Sequence, residues 1–158
     1  WTDNQPNLTL FTNSSTLHFN EIRERVKQFE VVLAKLDVGT NEDFERANRP
    51  NKKSPRIETI IDSLVKLKQE MPKNHDLVIQ CLLYNSYRDD FVPNNNPANL
   101  LNLAHALERI KPNYVQIYSI ARIPAEYFVY SIDEKRKKEI VTFIEDIIQD
   151  IGVKINFY

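Results

Sequence analysis

The sequence predicts an α/β domain with a mainly parallel sheet of about five strands and helices packed against it. Two observations indicate this class. Strand-like apolar runs alternate with amphipathic helical runs along the chain, the order that parallel β/α units require. Two of the strand-like runs, "VVLA" and "LVIQCLL", are almost continuously apolar, as expected for strands that are buried on both faces. An open sheet and a curved partial barrel both satisfy this pattern.

Length and composition fit one soluble globular domain. The chain has 158 residues, 42% of them hydrophobic and 27% charged, with a formal net charge of -1. That is enough apolar surface for a core, and the balance of charge does not indicate a nucleic-acid partner. No apolar run approaches the roughly 20 residues that span a bilayer, and no secretion signal is visible. The sequence therefore predicts a cytoplasmic protein without a membrane partner.

The cysteine and histidine content limits the disulfides and metal sites that this chain can form. Cys81 is the single cysteine, so the chain forms no internal disulfide and no cysteine-based metal site of its own. Its apolar neighbours in the sequence predict a packed side chain. The three histidines are too scattered to indicate a metal site. The start at Trp1 rather than at methionine suggests a piece of a larger protein.

The first predicted strand and helix occupy the first thirty residues. Residues Asn7 to Asn13 ("NLTLFTN") are rich in β-formers and end in a polar cluster, which predicts a strand and a turn. Asn20 stands where a helix cap is expected. Ile22, Val26 and Phe29 follow at helical spacing. A strand followed by a helix is therefore expected.

The second unit starts directly afterwards. Val31 to Asp37 is predicted as a strand and Asn41 to Ala47 as a short helix. Gly39 is expected to permit the turn between them, and Thr40 with Asp43 resembles a capping box. A longer helix then places its apolar residues on one stripe: Ile57, Ile60, Ile61, Leu64 and Leu67.

The second half of the chain predicts three more strands. Asp76 to Tyr84 is the third strand, and "PANLLNLAHALERI" is a helix with Pro97 near its first turn. Tyr114 to Ala121 is the fourth strand. An amphipathic helix is predicted over Asp133 to Ile151, closed by Gly152, and "KINFY" is the last strand.

Polar side chains collect where the predicted strands end. Lys35 and Asp37 share one face of the second strand, and Gln80 and Gln116 lie on the two strands that follow. Ligands of parallel α/β folds bind at these carboxyl ends. Buried polar groups require hydrogen-bond partners. Two explanations stay open: the faces line one cavity for a polar ligand, or Lys35 and Asp37 pair with each other or with neighbouring helices.

Five stretches resemble one family in order and spacing. They are "FTNSSTL", "AKLDVGTNEDFERANRP", "RIETIIDSLVKLKQE", "VIQCLLYNSYRDD" and "YVQIYSIARIPAE". Together they resemble the later part of a radical S-adenosylmethionine (radical SAM) enzyme, in the branch of iron-sulfur oxidoreductases related to wyosine-type tRNA-modifying enzymes. The resemblance implies that residues 1–158 form a single domain, the C-terminal part of a TIM-like partial (β/α) barrel with its helices on the outer face.

The resemblance also implies a chemistry. Such enzymes cleave S-adenosylmethionine reductively to a 5'-deoxyadenosyl radical, with a [4Fe-4S] cluster held by a C-x3-C-x2-C motif and with a glycine-rich turn at the methionine amine. Both elements precede the region that this chain resembles, and neither occurs in it. The chain alone is therefore expected to be inactive and to supply the ribose and adenine side of the cofactor site. The substrate is not indicated.

Site residues follow from the matching motifs. Asp37 matches the contact to the ribose hydroxyls, and Lys35 could contact a carboxylate of the cofactor or substrate. Arg49 in "NRP" and Arg122 in "ARIP" are expected at the substrate, although Arg49 could instead staple its loop. In "ARIP", Ile123 replaces the family's first proline. The full set expected at the cofactor is Asn13, Ser14, Lys35, Asp37, Gln80, Tyr118, Ser119 and Ala121.

Two other functions remain open at this point. One is a stand-alone, non-catalytic α/β module that binds a nucleoside-like ligand or a protein partner. The other is a different partial barrel that uses Lys35 and Asp37 in acid/base chemistry. The polar loop "NSYRDDFVPNNNP" is interpreted as a lid or a mobile segment. The sheet edge at Asn7 to Phe11 is expected to lack its neighbouring strand, so the chain should self-associate there.

Overall fold

The computed structural model describes residues 8–148 and 153–158. Its main sheet has five strands in the order β1-β2-β3-β5-β7, and every neighbouring pair is parallel. A second sheet pairs two short antiparallel strands, β4 and β6. The strands are β1 Thr9–Thr12, β2 Val31–Lys35, β3 Asp76–Leu82, β4 Asn85–Ser86, β5 Tyr114–Tyr118, β6 Val129–Tyr130 and β7 Lys154–Phe157.

Five helices connect these strands: α1 Asn20–Val26, α2 Asn41–Asn48, α3 Ile57–Glu70, α4 Pro97–Ile110 and α5 Glu134–Ile147. The strands of the main sheet follow each other in space in the same order as in the chain. Parallel crossovers are right-handed, so an unreversed order places successive helices on the same face of the sheet. This is the construction of a partial barrel rather than of a doubly wound sheet. The predicted fold class is confirmed.

The core lies between the helices and the convex face of the sheet. Alternate strand residues point into it, and Cys81 is buried among them with Ile79 and Leu83, as expected from the sequence. All five residues of the predicted apolar stripe on α3 are buried there. The concave face carries the other alternate residues, so it is free to hold polar groups. None of the helices in the described part of the chain is long and apolar enough to cross a bilayer.

The strands end earlier than predicted. β2 stops at Lys35 rather than at Asp37, β3 at Leu82 rather than at Tyr84, and β5 at Tyr118 rather than at Ala121. The reason is visible at Asp37, whose carbonyl accepts hydrogen bonds from asparagine side chains instead of from a neighbouring strand. Polar side chains thus replace the strand ladder at its carboxyl end.

The predicted cap of α1 is wrong. Asn20 is the first helical residue, and Phe19 precedes it without a capping hydrogen bond from its side chain. The Asn20 carboxamide oxygen instead accepts from the Arg23 guanidinium at 2.9 Å. The cap of α2 is confirmed, because the Thr40 hydroxyl oxygen accepts from the Asp43 N–H at 3.1 Å.

The ends of the chain are described only in part. α5 starts after Asp133, whose carboxylate caps it by accepting from the Arg136 N–H. The helix ends at Ile147, with Ile148 as its C-cap. The predicted helix end at Ile151 and its closing Gly152 lie outside the described residues, as do Trp1 and the predicted first strand residue, Asn7.

Gly39 is required for close packing against α4. A Cβ at this position would collide with the backbone of Asn102 and Leu103. We expect Gly39→Ala to lower the free energy of unfolding by about 1 to 3 kcal/mol, since extra volume in a tight contact forces a backbone shift. Urea unfolding measures this. Glu45→Ala, an exposed change on α2, should stay within about 0.5 kcal/mol. If the urea midpoint of Gly39→Ala equalled that of the wild type, the close packing of Gly39 against α4 would be contradicted.

Candidate functional site

The concave face of the sheet presents its side chains in level rows. The strand register aligns Lys35 with Gln80, Gln80 with Gln116, and Gln116 with Asn156, which makes a polar row across four strands. Leu82 and Tyr118 are aligned one level nearer the carboxyl ends. Polar side chains at this end of parallel strands are where ligands of such folds bind.

Asp37 lies directly after β2 and is the buried acid of this site, with 6% of its surface exposed. Its Oδ1 accepts from the Leu82 N–H at 2.7 Å, and its Oδ2 accepts from the Asn48 carboxamide at 3.1 Å. The Lys35 ammonium lies 3.3 Å from Oδ2. A carboxylate has about four acceptor positions, so one position is left for a ligand hydroxyl.

The protonation of Asp37 reflects its burial. Desolvation raises the pKa of the carboxyl above its ordinary value of 3.8, whereas the Lys35 ammonium and the hydrogen bonds from Leu82 and Asn48 act in the opposite direction. Desolvation is the larger effect. Holding this anion in place therefore lowers the stability of the folded chain.

This burial predicts a pH dependence. The folded state binds the Asp37 proton more tightly than the unfolded state, so stability decreases as pH rises through the interval between 3.8 and the raised pKa. Asp37→Asn removes this loss. We therefore expect the free energy of unfolding of the variant, minus that of the wild type, to increase between about pH 3 and about pH 7. Urea unfolding across this range checks it, and a difference that shrinks with rising pH would contradict the burial effect.

Two cavities adjoin Asp37. The larger, about 370 Å³, lies between the end of β2, α2 and the start of α3, and its polar lining includes Asn13, Lys35, Asp37, Asn48 and Arg49. The smaller, about 130 Å³, is open to the concave face and is lined by Lys35, Asp37, Gln80, Leu82 and Tyr118. Lys35 and Asp37 line both. The structure thus brings six of the ten predicted site residues to the borders of two adjoining cavities.

Two predicted serines connect the ends of strands. The Ser14 hydroxyl donates to the Lys35 carbonyl at 2.9 Å, and the side chain is fully buried. The Ser119 hydroxyl donates to the Leu83 carbonyl at 3.0 Å and accepts from the Ile132 N–H at 2.8 Å. Both hydroxyl protons are used within the protein. Their role at a cofactor stays a prediction.

The other predicted residues lie at or beyond the rim. Arg49 follows α2 with a left-handed backbone, and its guanidinium pairs with Glu126 at 2.5 Å, so it connects two loops as a staple would. Ala121 and Arg122 are exposed on the loop after β5 and line neither cavity. The Asn13 side-chain oxygen already accepts from Ser15. Substrate contacts by the two arginines stay predictions.

Sequence reasoning missed a set of buried asparagines before and within α4. Asn94 donates to the Leu82 carbonyl at 2.7 Å and to the Asp37 carbonyl at 3.3 Å, and its own oxygen accepts from the Tyr84 N–H. Asn99 donates to the same Asp37 carbonyl and accepts from the Gly39 N–H. The loop interpreted as a lid or a mobile segment is therefore partly a fixed support of the site. The run of asparagines before Pro97 was the available signal.

Two loops that follow the carboxyl ends of the strands pair with each other. β4 and β6 pair the loop after β3 with the loop after β5. The Tyr87 hydroxyl donates to the Tyr127 carbonyl at 2.9 Å, and the Phe91 and Phe128 rings lie 4.9 Å apart. Neither strand was predicted, because two-residue strands carry no periodic signal.

Comparison with known proteins supports the fold. No family model and no curated protein matches the chain. Among solved structures, a domain of pyruvate-formate lyase-activating enzyme from Bacteroides vulgatus is 14% identical, with a TM-score of 0.64 over 95% of this chain and 80% of that one. Streptococcus suis SuiB bound to S-adenosylmethionine is 11% identical, with a TM-score of 0.63 over 95% of this chain. This chain spans only 32% of SuiB. At these identities the likeness shows the fold.

Proposed function

We propose that this chain is the later part of a radical SAM partial barrel and that it holds the nucleoside part of S-adenosylmethionine at the carboxyl ends of β2 and β3. The observation that carries the proposal is the buried Asp37 carboxylate, which borders both cavities with one acceptor position left. The neighbours are radical SAM enzymes of the same fold, which supports the superfamily. The narrower placement beside wyosine-type enzymes rests on the sequence motifs, and treating residues 1–158 as one domain is part of the proposal.

The residues at the larger cavity fit a nucleoside. A ribose hydroxyl is a donor that suits the one acceptor position left on the Asp37 carboxylate. The cavity of about 370 Å³ beside this carboxylate has a largely polar lining. Keeping a carboxylate buried lowers stability, and ligand hydroxyl groups would offset part of that cost. When bound, S-adenosylmethionine would supply a carbon-centred radical upon one-electron reduction.

The iron-sulfur cluster does not fit the residues of this chain. Cys81 lies on the helix-covered face, and burial raises the pKa of its thiol well above the ordinary value. Among the described residues, no three His, Cys, Asp or Glu side chains lie close enough together to hold a metal ion. Under this proposal the ligands of the cluster belong to a part of the intact protein outside this chain.

The test is binding of S-adenosylmethionine to the intact protein, measured by calorimetry. We expect saturable binding at one site per chain. The native sequence upstream of Trp1 should also contain C-x3-C-x2-C within roughly one domain length. A protein without that motif and without affinity for S-adenosylmethionine would overturn the proposal.

A non-catalytic nucleoside-binding module is the second candidate. It is favoured by one observation: Lys35 and Asp37 already pair, so the site is stable without a bound methionine carboxylate. Adenosine binding as tight as that of S-adenosylmethionine would support this candidate. A clear preference for S-adenosylmethionine would support the first.

The edge of β1 supports the expected self-association. Leu8, directly before β1, is 57% exposed, and Phe11, within β1, is 69% exposed. Among the described residues, β1 is an end strand of the main sheet. Exposed apolar edge strands associate with one another. The average mass of the isolated chain in sedimentation should rise with concentration, and Phe11→Lys should reduce the rise. A chain that stays monomeric at high concentration would contradict this expectation.

A further inference from the structure

Three side chains of the concave face form a closed ring of hydrogen bonds. The Gln80 carboxamide nitrogen donates to the Gln116 oxygen at 2.9 Å and to the Tyr118 hydroxyl at 3.0 Å. The Tyr118 hydroxyl donates to the same Gln116 oxygen at 2.6 Å. All three residues are partly exposed. The hydrogen bonds hold the three side chains in place, and their partial exposure leaves them accessible to a ligand.

The ring determines what the two amides can offer. The Gln80 oxygen and the Gln116 nitrogen have no partner among residues 8–148 and 153–158. Exchanging oxygen and nitrogen in both amides keeps the ring and reverses the two free groups. Exchanging them in only one amide would place two donors or two acceptors against each other. In either consistent arrangement, one amide offers an acceptor and its neighbour offers a donor.

The surroundings favour a flat, uncharged ligand. Lys35, at the end of the row, pairs with Asp37, so the two charges balance. The Tyr118 ring borders the cavity of about 130 Å³ and stacks on Tyr158 with centroids 5.4 Å apart. Aromatic walls prefer planar rings as neighbours. The cavity has about four times the volume that one water occupies in the liquid.

We infer that the amide pair binds a second ligand, the substrate, through a planar carboxamide or lactam group. The N–H of that group donates to one glutamine, and its carbonyl accepts from the other. Tyr118 is a positioning residue, since its hydroxyl keeps the two amides opposed. The inference rests on the proposed function in that this ligand shares the concave face with S-adenosylmethionine. It assigns Gln80 to the substrate rather than to the cofactor.

A carboxylate is the ligand group that best tests this inference, because it has nearly the shape of an amide. A carboxylate has no donor, so it would leave one glutamine acceptor facing an oxygen. Sites built around hydrogen bonds reject analogues that lack a required group, because their own polar atoms are left unpaired. The two glutamines should therefore bind an amide more tightly than the carboxylic acid of the same shape.

Nicotinamide and nicotinate are suitable probes, because they share a ring and differ in this group. Titrations of the intact protein, followed by NMR, are expected to show nicotinamide bound at least about tenfold more tightly, or about 1.4 kcal/mol. The double variant Gln80→Leu/Gln116→Leu should lose this preference. The double variant leaves the Tyr118 hydroxyl without its two partners, and because Tyr118 is partly exposed, water replaces them at little cost in stability. Tyr118→Phe, which keeps the ring face, should lower the preference without abolishing binding.

S-adenosylmethionine is titrated in parallel to separate the two proposals. Unchanged affinity for it in the double variant, with the amide preference lost, supports the inference. If the double variant lost its affinity for S-adenosylmethionine together with the amide preference, the two glutamines would be assigned to the adenine of the cofactor, which also carries a donor beside an acceptor. That result would overturn the inference. Equal affinity for the two probes, or no binding of either, would overturn it as well. A wild-type protein that binds nicotinamide more tightly than nicotinate, and that does not bind S-adenosylmethionine, would overturn the proposed function alone.

Discussion

Asp37→Ala is expected to weaken S-adenosylmethionine binding by the intact protein about tenfold. Losing a hydrogen bond to a charged group removes ~1.5 to 3 kcal/mol, and each ~1.4 kcal/mol is tenfold in affinity. The carboxylate is held in one orientation by Leu82 and Asn48, so a bound ribose would meet a fixed acceptor. Calorimetry at constant pH and salt gives the dissociation constants.

Two further variants separate binding from folding. Asp37→Asn keeps an oxygen for the Leu82 N–H and should still weaken binding, since the charge is lost. Asp62→Ala removes an exposed carboxylate that pairs with Arg109 on the helical side and should leave affinity unchanged. Affinity for S-adenosylmethionine that is the same in wild type and Asp37→Ala would remove Asp37 from the site.

Asn94→Leu is expected to be the most destabilising of the changes considered, by about 3 kcal/mol. The side chain is 1% exposed and connects the ends of two strands. Leucine would leave the Leu82 carbonyl and the Tyr84 N–H without the partners that they have now. Each unpaired buried group costs about 1 to 3 kcal/mol. Urea unfolding gives the change in free energy.

Asn102→Leu is the matched control for this change. Asn102 is exposed on α4, and its side chain donates only to the Ala98 carbonyl of its own helix. Its replacement should change stability by no more than about 0.5 kcal/mol. Equal effects of the two substitutions would show that Asn94 does not support the strand ends. Because Asn94 also holds the Asp37 carbonyl, Asn94→Leu should weaken cofactor binding too.

Some features of this fold could be predicted because they repeat along the chain. The apolar stripe of α3 and the nearly continuous apolar runs of β2 and β3 are local patterns, and both were confirmed by burial in the structure. The Thr40 cap was readable for the same reason, since its partner Asp43 is three residues away. Asn20 was predicted wrongly, because the residue types around it do not show which residue is the N-cap and which is the first residue of the helix.

The support of the site could not be predicted, because its partners are far apart in the sequence. Asn94 contacts Asp37 across 57 residues, and Ser14 contacts Lys35 across 21. Neither asparagine nor serine has a periodic signal that would reveal such a partner. The same holds for Arg49, whose partner Glu126 was not indicated by any local motif.

The sequence by itself determined the α/β class, the parallel strands and the polar character of their carboxyl ends, since hydrophobic periodicity and side-chain alternation are properties of neighbouring residues. Only the tertiary structure decided the strand order, the asparagine support beneath Asp37 and the closed ring of Gln80, Gln116 and Tyr118. The physical reason is that hydrogen-bond partners are chosen by position in space. Strand register brings Gln80 and Gln116 to one level, although 36 residues separate them in the chain.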